Sequence, residues 1–185
     1  MTQFFDLMAD VESAGLPPTG ALLSIGCVFF DLHTCTLGPT FNRTIHLASS
    51  VKHGGTMDPG TFLWWLRQGP EAQKAVAFGG EPIDLVLTDF SAWIAEHCRH
   101  EDVRPWGNSN SMDLTLINGA YKRLGLTAPW HFTQERDFRT VRCQNPQVLY
   151  DPAQKGAGAH NALTDAVFQA RHLFLIKESR RARNA

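Results

Sequence analysis

No two of the four cysteines, Cys27, Cys35, Cys98 and Cys143, stand in a CxxC pair or at a zinc-ligand spacing. That excludes a zinc finger and a secreted disulfide scaffold, and it predicts a reducing compartment. No apolar run approaches the roughly 18 residues of a membrane span. Residues 1–20 also lack a basic start followed by an apolar stretch, so the expectation is a soluble, cytoplasmic chain with no membrane partner. Internal repeats, low-complexity tracts and long linkers are missing too. A length of 185 residues therefore predicts one domain, taken as residues 1–178, with 179–185 as a basic C-terminal tail. Hydrophobic residues at 43% and charged residues at 19% suit a globular chain. A core of this size needs no disulfide or structural metal to hold it.

Net charge is small as well, at −1, but it hides an asymmetry. Residues 1–113 carry six Lys and Arg against thirteen Asp and Glu, a balance of −7. Residues 114–185 carry eleven against five, a balance of +6. An acidic first part and a basic second part suit a site that binds cations and a polyanion together. Chance and a solvated basic tail account for the same numbers.

What is present reads as alternating strands and helices. Residues 4–12 and 21–32 are predicted strands, and HTCTLG turns the chain into a third near 40–47. Asp58-Pro59 starts a short helix with Phe62, Trp65 and Leu66 at helical spacing, ended by Gly69-Pro70. A helix from about Thr88-Asp89 carries Phe90, Trp93, Ile94 and His97 on one face. VRPW, residues 103–106, is a short strand, and a helix from Asp113 buries Leu116, Ile117, Ala120, Tyr121 and Leu124 before Gly125. A strand near 138–142 and a helix over about 161–178 close the pass, the latter burying Leu163, Ala166, Val167, Ala170 and Phe174. The pattern predicts an α/β fold, a central mixed β-sheet flanked by helices. No helix shows an exposed apolar stripe that demands a partner.

Three features carry chemistry. Asp10 and Glu12 alternate with Val11, so on a strand both carboxylates point to one side, an arrangement that a divalent cation makes tolerable. The pair also suits a strand end in water. In WGNSNSMD, residues 106–113, Asp113 opens a helix and shares its inward stripe, three and four residues before Leu116 and Ile117. The helix dipole favours an Asp there, but an inward charge also calls for a partner. In GAGAHNALTDA, residues 156–166, His160 stands at the mouth of the last helix and Asp165 follows five residues later. Each alone is an ordinary loop histidine or surface acid.

Taken in order, an acid pair on the first strand, a mid-chain Asp at a helix start and His-x4-Asp opening the last helix resemble the DEDDh, or DnaQ-like, 3′–5′ exonucleases of the ribonuclease H-like fold. The likeness spans almost the whole chain. The stretches RTIHLASS, MDPGTFLWWLRQ and PWHFTQERDFRTV are similar to the phage- and prophage-associated subgroup labelled exodeoxyribonuclease VIII-like or RNase T-like. The resemblance places the acidic quartet on Asp10, Glu12, Asp113 and Asp165 and the catalytic histidine on His160. Ser13 replaces the family's usual Thr and keeps a hydroxyl. The implied cofactors are two Mg²⁺ or Mn²⁺ ions, which an all-carboxylate site suits better than zinc. Asp10 would bridge both, Glu12 and Asp165 would hold the first, Asp113 would reach the second through water, and His160 would take a proton from the attacking water.

The implied partner is the 3′ end of a nucleic acid, single-stranded, and relatives such as RNase T imply a possible homodimer. Trp64, beside Trp65 but off its buried face, is the candidate for stacking a base, with Ser13 and Asn108 as further substrate contacts. Lys177, Arg180, Arg181 and Arg183 suit either nonspecific phosphate attraction or a frayed helix end. The expected function is a metal-dependent 3′–5′ exonuclease releasing nucleoside 5′-monophosphates from DNA or RNA. The alternatives are an RNA-specific trimming enzyme and a non-catalytic nucleic-acid-binding module with a relic site.

Overall fold

The computed structural model describes residues 4–151 and 160–183. A five-stranded sheet of order β3-β2-β1-β4-β5 organises the molecule. Strands β1 (Asp6–Ser13), β2 (Leu22–Asp31) and β3 (Thr36–Thr44) form an antiparallel meander. Strands β4 (Arg104–Gly107) and β5 (Arg136–Asp137) extend it in parallel on the other side of β1. β1 is central and buried along its whole length.

Alternation along β1 divides the core in two. Leu7, Ala9 and Val11 pack with Ile25, Cys27 and Phe29 of β2 against helices α4 (Ile83–His97) and α5 (Asp113–Arg123). Met8 faces the other way, with Val28, Phe30 and Trp106, against α6 (Phe138–Cys143) and α7 (Ala162–Arg183). Asp6, Asp10 and Glu12 share the side of Met8 by the same alternation. Helix α7 lies directly on the sheet because β2 has a glycine where they meet. A Cβ on Gly26 would stand 2.0 Å from the backbone nitrogen of Leu163. Gly26 is the register partner of Asp10, so the close approach brings the first turn of α7 to that carboxylate.

The structure departs from the sequence reading at several elements. Residues 138–142 are helix, not strand: Asp137 accepts from the backbone N–H of Thr140 and caps α6, leaving only Arg136–Asp137 as β5. The third strand ends at Thr44, and α1 (Leu47–Lys52) takes up the stretch after it. Helix α4 starts at Ile83, where Pro82 supplies the N-terminal turn. Helix α2 (Pro59–Leu66) buries only Trp65, and Pro70 opens a further helix, α3 (Pro70–Ala77). Phe62, Leu63 and Leu66 are exposed, so α2 does present an apolar face to its surroundings. Leu163, Val167 and Leu124 are half-buried rather than core. Helix α7 continues to Arg183, so Arg180, Arg181 and Arg183 belong to a helix.

Candidate metal centre and adjoining cleft

Parallel pairing of β1 with β4 ends at Ala9 and Gly107. Beyond it β1 is paired with β2 but no longer with β4, and its Asp10 and Glu12, each 9% exposed, stand on that stretch. The loop after β4 returns Asp113 to this point as the first residue of α5. Asp113 is 5% exposed and accepts from the N–H of Ser109 at 3.1 Å. Its carboxylate also takes backbone N–H groups from Val11, Asn108 and Asp113 itself, so the strand's spare donor beyond β4 is used by the acid. Asp137 secures the same loop by accepting from the N–H of Asn110 at 2.8 Å. On the other side of β1, Asn161 accepts from the N–H of Thr164 and caps α7, which carries Asp165 in its first turn.

Asp10, Glu12 and Asp165 each offer an oxygen, and these oxygens all lie within 4.8 Å of one another. Asp113 adds a charge felt at Asp10 without joining that group. Burial, and then the charges of Asp113, Asp165 and Glu12, hold the Asp10 carboxyl well above the ordinary range. Burial likewise pushes Asp113 up to about 6, opposed by its four backbone donors. Asp6, at the other end of the strand, pairs with Arg104 at 3.0 Å. The hydrogen bond to Asp10 comes instead from a neutral amide: Gln169 Nε2 donates to Oδ1 at 2.7 Å. The nearby Cys27 thiol, buried and held up further by Asp10 and Asp113, stays protonated and is no ligand at neutral pH. A compact set of hard oxygen donors fits a divalent cation of the Mg²⁺ or Mn²⁺ kind.

A cleft of about 440 Å³ adjoins the carboxylates, lined by Glu12 and Ser13 of β1, Leu16, Thr61 and Trp64 of α2, and Met112. Helix α2 is held there from both ends. The Asp58 carboxylate accepts from Thr61 N–H at 2.7 Å, and the Trp65 indole donates to the Ser13 carbonyl at 2.9 Å. Trp65 is thereby committed to the core, whereas Trp64 is 40% exposed on the cleft. The Ser13 hydroxyl donates to the Gly15 carbonyl at 2.8 Å. Asn108 sits behind Asp113 and is not among the lining residues. His160 has left-handed backbone, φ +63, and its ring stands edge-on to Trp64 with centroids 4.7 Å apart. It borders the cleft and is not one of the mutually close donors. The glycines Gly156 and Gly158 fall outside the described residues.

Gln169 and Asn161 escaped sequence reasoning. The signal for Asn161 was its place three residues before Thr164, a capping spacing. Gln169 follows Asp165 by four, one turn along the same face.

Among solved structures, the chain is similar to E. coli exonuclease I in a zinc-bound complex with single-stranded DNA, at 16% identity and a TM-score of 0.65 over 97% of this chain. It spans 42% of that exonuclease's length. The nuclease domain of 3′hExo, a DEDDh family member bound to rAMP, matches at 10% identity and a TM-score of 0.62 over 96% of this chain and 93% of that one. Cell-death related nuclease 4 matches at 15% identity and a TM-score of 0.61 over 94% of this chain and 64% of that one. These likenesses give the fold, which is ribonuclease H-like. No curated protein sequence matches. Residues 5–176 match the model of the Rv2179c-like 3′–5′ exoribonuclease domain, so the chain belongs to that family and is a 3′–5′ exonuclease domain.

Proposed function

We propose that Asp10, Glu12, Asp113 and Asp165 hold divalent cations, two Mg²⁺ or Mn²⁺ ions, and that the chain removes nucleoside 5′-monophosphates one at a time from the 3′ end of a single strand. The observation that carries this reading is the meeting of three carboxylates within 4.8 Å, one of which, Glu12, lines the adjoining cleft. The ions, when bound, lower the pKa of water and offset charge on the phosphate and the leaving 3′ oxygen. The chain's own residues supply the rest. Asp10, Glu12 and Asp165 would hold a cation together, and Asp113, whose charge is felt at Asp10, would add a further carboxylate for the second. His160, edge-on to Trp64, accepts the proton of the attacking water. Trp64 and Leu16 take the terminal base between apolar surfaces, with Ser13 at the sugar. Asn108 acts through Asp113, to which its backbone donates.

The family description supports RNA as the substrate, and the flanking stretches quoted above support kinship with the phage and prophage subgroup. Four cysteines without a disulfide support the cytoplasm as the place of action, and no described helix is long and apolar enough to cross a membrane. The exposed side of α2 favours a homodimer, which the mass of the chain in solution tests. The decisive assay uses 5′-labelled RNA and DNA oligonucleotides, single-stranded and duplex, with Mg²⁺ or Mn²⁺. Single-strand RNA is expected to shorten by one nucleotide at a time and to be inert in EDTA. Cleavage of a closed circle, or undiminished cleavage in EDTA, overturns the reading.

A further inference from the structure

Gln169 stands out among the side chains that the mechanism does not use. It is 5% exposed, it lies one helical turn beyond Asp165 on α7, and its Nε2 donates to Asp10 Oδ1 at 2.7 Å. Its neighbours along the same helix, Ala166 and Ala170, are fully buried in an apolar cluster. Its other amide atom, Oε1, is buried and has no hydrogen-bond partner among the described residues.

A residue kept only to fill this space would be apolar. A buried acceptor without a donor costs about 1–3 kcal/mol, a loss that a methionine of similar length avoids. The retained amide must therefore do something that an apolar side chain cannot. Its chemistry is specific: a neutral N–H donor fixes the rotation of a carboxylate without cancelling its charge. Lysine or arginine in the same place would orient Asp10 equally well and compete with any cation it holds.

We propose that Gln169 is a positioning residue of the metal centre. It clamps Oδ1 of Asp10 so that the other oxygen turns toward Glu12 and Asp165, and it leaves Oε1 as an acceptor for a water brought in by a cation. This rests on the reading of the carboxylates as a cation site. Outer hydrogen-bond partners of metal ligands change affinity by about 10–100-fold when removed.

The test titrates Mn²⁺ into the full chain by calorimetry and records melting temperatures with and without the ion, for the parent, Gln169→Met and Gln169→Glu. Gln169→Met is expected to melt without metal at or above the parent temperature and to bind Mn²⁺ about 10–100-fold more weakly. Gln169→Glu adds a carboxylate of the same shape, so its metal-free form should melt lower and gain more from Mn²⁺ than the parent does. Should Gln169→Met fail to fold, Gln169→Glu alone decides. Parent-like affinity in Gln169→Met, or parent-like melting and Mn²⁺ response in Gln169→Glu, overturns the proposal while leaving the cation site intact. A parent chain that takes up no Mn²⁺ overturns the cation reading instead.

Discussion

Strand β1 carries buried carboxylates at both ends and treats them in opposite ways. Asp6 is surrounded by protein donors: the Trp106 indole donates at 2.8 Å and Arg104 pairs with it at 3.0 Å. Its carboxyl is raised by burial, with Trp106, Arg104 and Arg136 pulling it back. Asp10, four residues on and on the same side, is surrounded by Glu12, Asp113 and Asp165, with the neutral Gln169 as its donor. Folding offsets part of the burial of the first charge with protein donors and gathers like charges around the second. On the proposed reading, the arginine beside one buried acid and the three further acids around another leave the second for a ligand.

Substitution at the two ends breaks the comparison most strongly. Asp10→Ala should abolish cleavage and Mn²⁺ uptake while the metal-free chain melts at or above the parent temperature, because a repelling charge is gone. Asp6→Asn should do the reverse. It should cost about 1–3 kcal/mol of stability by weakening the partners of Arg104 and Trp106, with cleavage retained. Chemical denaturation and a nuclease assay on the same preparations separate the two.

Next in size is Gly26→Val, which forces α7 away from β2 at the point opposite Asp10. The overpacking should cost about 3 kcal/mol or more, and Mn²⁺ affinity should fall in the fraction that still folds. Normal stability in that variant would mean that α7 does not rest on Gly26.

His160→Ala should slow turnover by about 10²–10⁴ with Mn²⁺ affinity nearly unchanged, and its rate should recover in part at high pH. Asp165→Ala, in contrast, should lose affinity and activity together. Loss of Mn²⁺ binding in His160→Ala would make the histidine a ligand and refute its role as base. Trp64→Ala should raise KM more than it lowers kcat, by the roughly 1–3 kcal/mol that a stacked base contributes.

The smallest effect is on stability against pH. Asp10 and Asp113 have folded-state pKa values above their unfolded ones, Asp113 at about 6, so the folded chain holds protons that the unfolded chain releases. Metal-free stability is therefore fullest below the ordinary Asp value of about 3.9 as far as these groups contribute, and the contribution of Asp113 is lost as pH rises through about 6. The melting temperature in EDTA should fall between pH 5 and pH 7 by an amount that saturating Mn²⁺ removes. A flat profile in EDTA would show the carboxylates to be better compensated than their surroundings imply.

The acids could be proposed from the sequence because of their order: DVE on the first strand, Asp113 at a mid-chain helix start and Asp165 after His160 are each ordinary alone and together resemble one family's pattern. The doubly buried β1 and β2 and the helices from Asp113 and Asn161 were legible through long apolar periodicity. Short elements were not. FRTVR alternates like a strand, yet the Asp137 cap wins it for a helix, and nothing local shows that Asp137 also holds Asn110. The exposed face of α2 was misread because Phe62 and Leu66 sit at helical spacing; which side meets the core depends on the Trp65 bond to Ser13, 52 residues away. Gln169 was invisible because its partner is 159 positions distant. Pairings over such separations are set by topology, and no window of sequence contains them.

The central claim is that β1 leaves the charge at Asp10, and not that at Asp6, for a divalent cation. Calorimetric titration of Mn²⁺ into the parent, Asp6→Asn and Asp10→Asn tests it directly. The parent and Asp6→Asn should take up the ion alike, and Asp10→Asn should show no saturable binding. Undiminished uptake by Asp10→Asn, or none by the parent, would contradict the account.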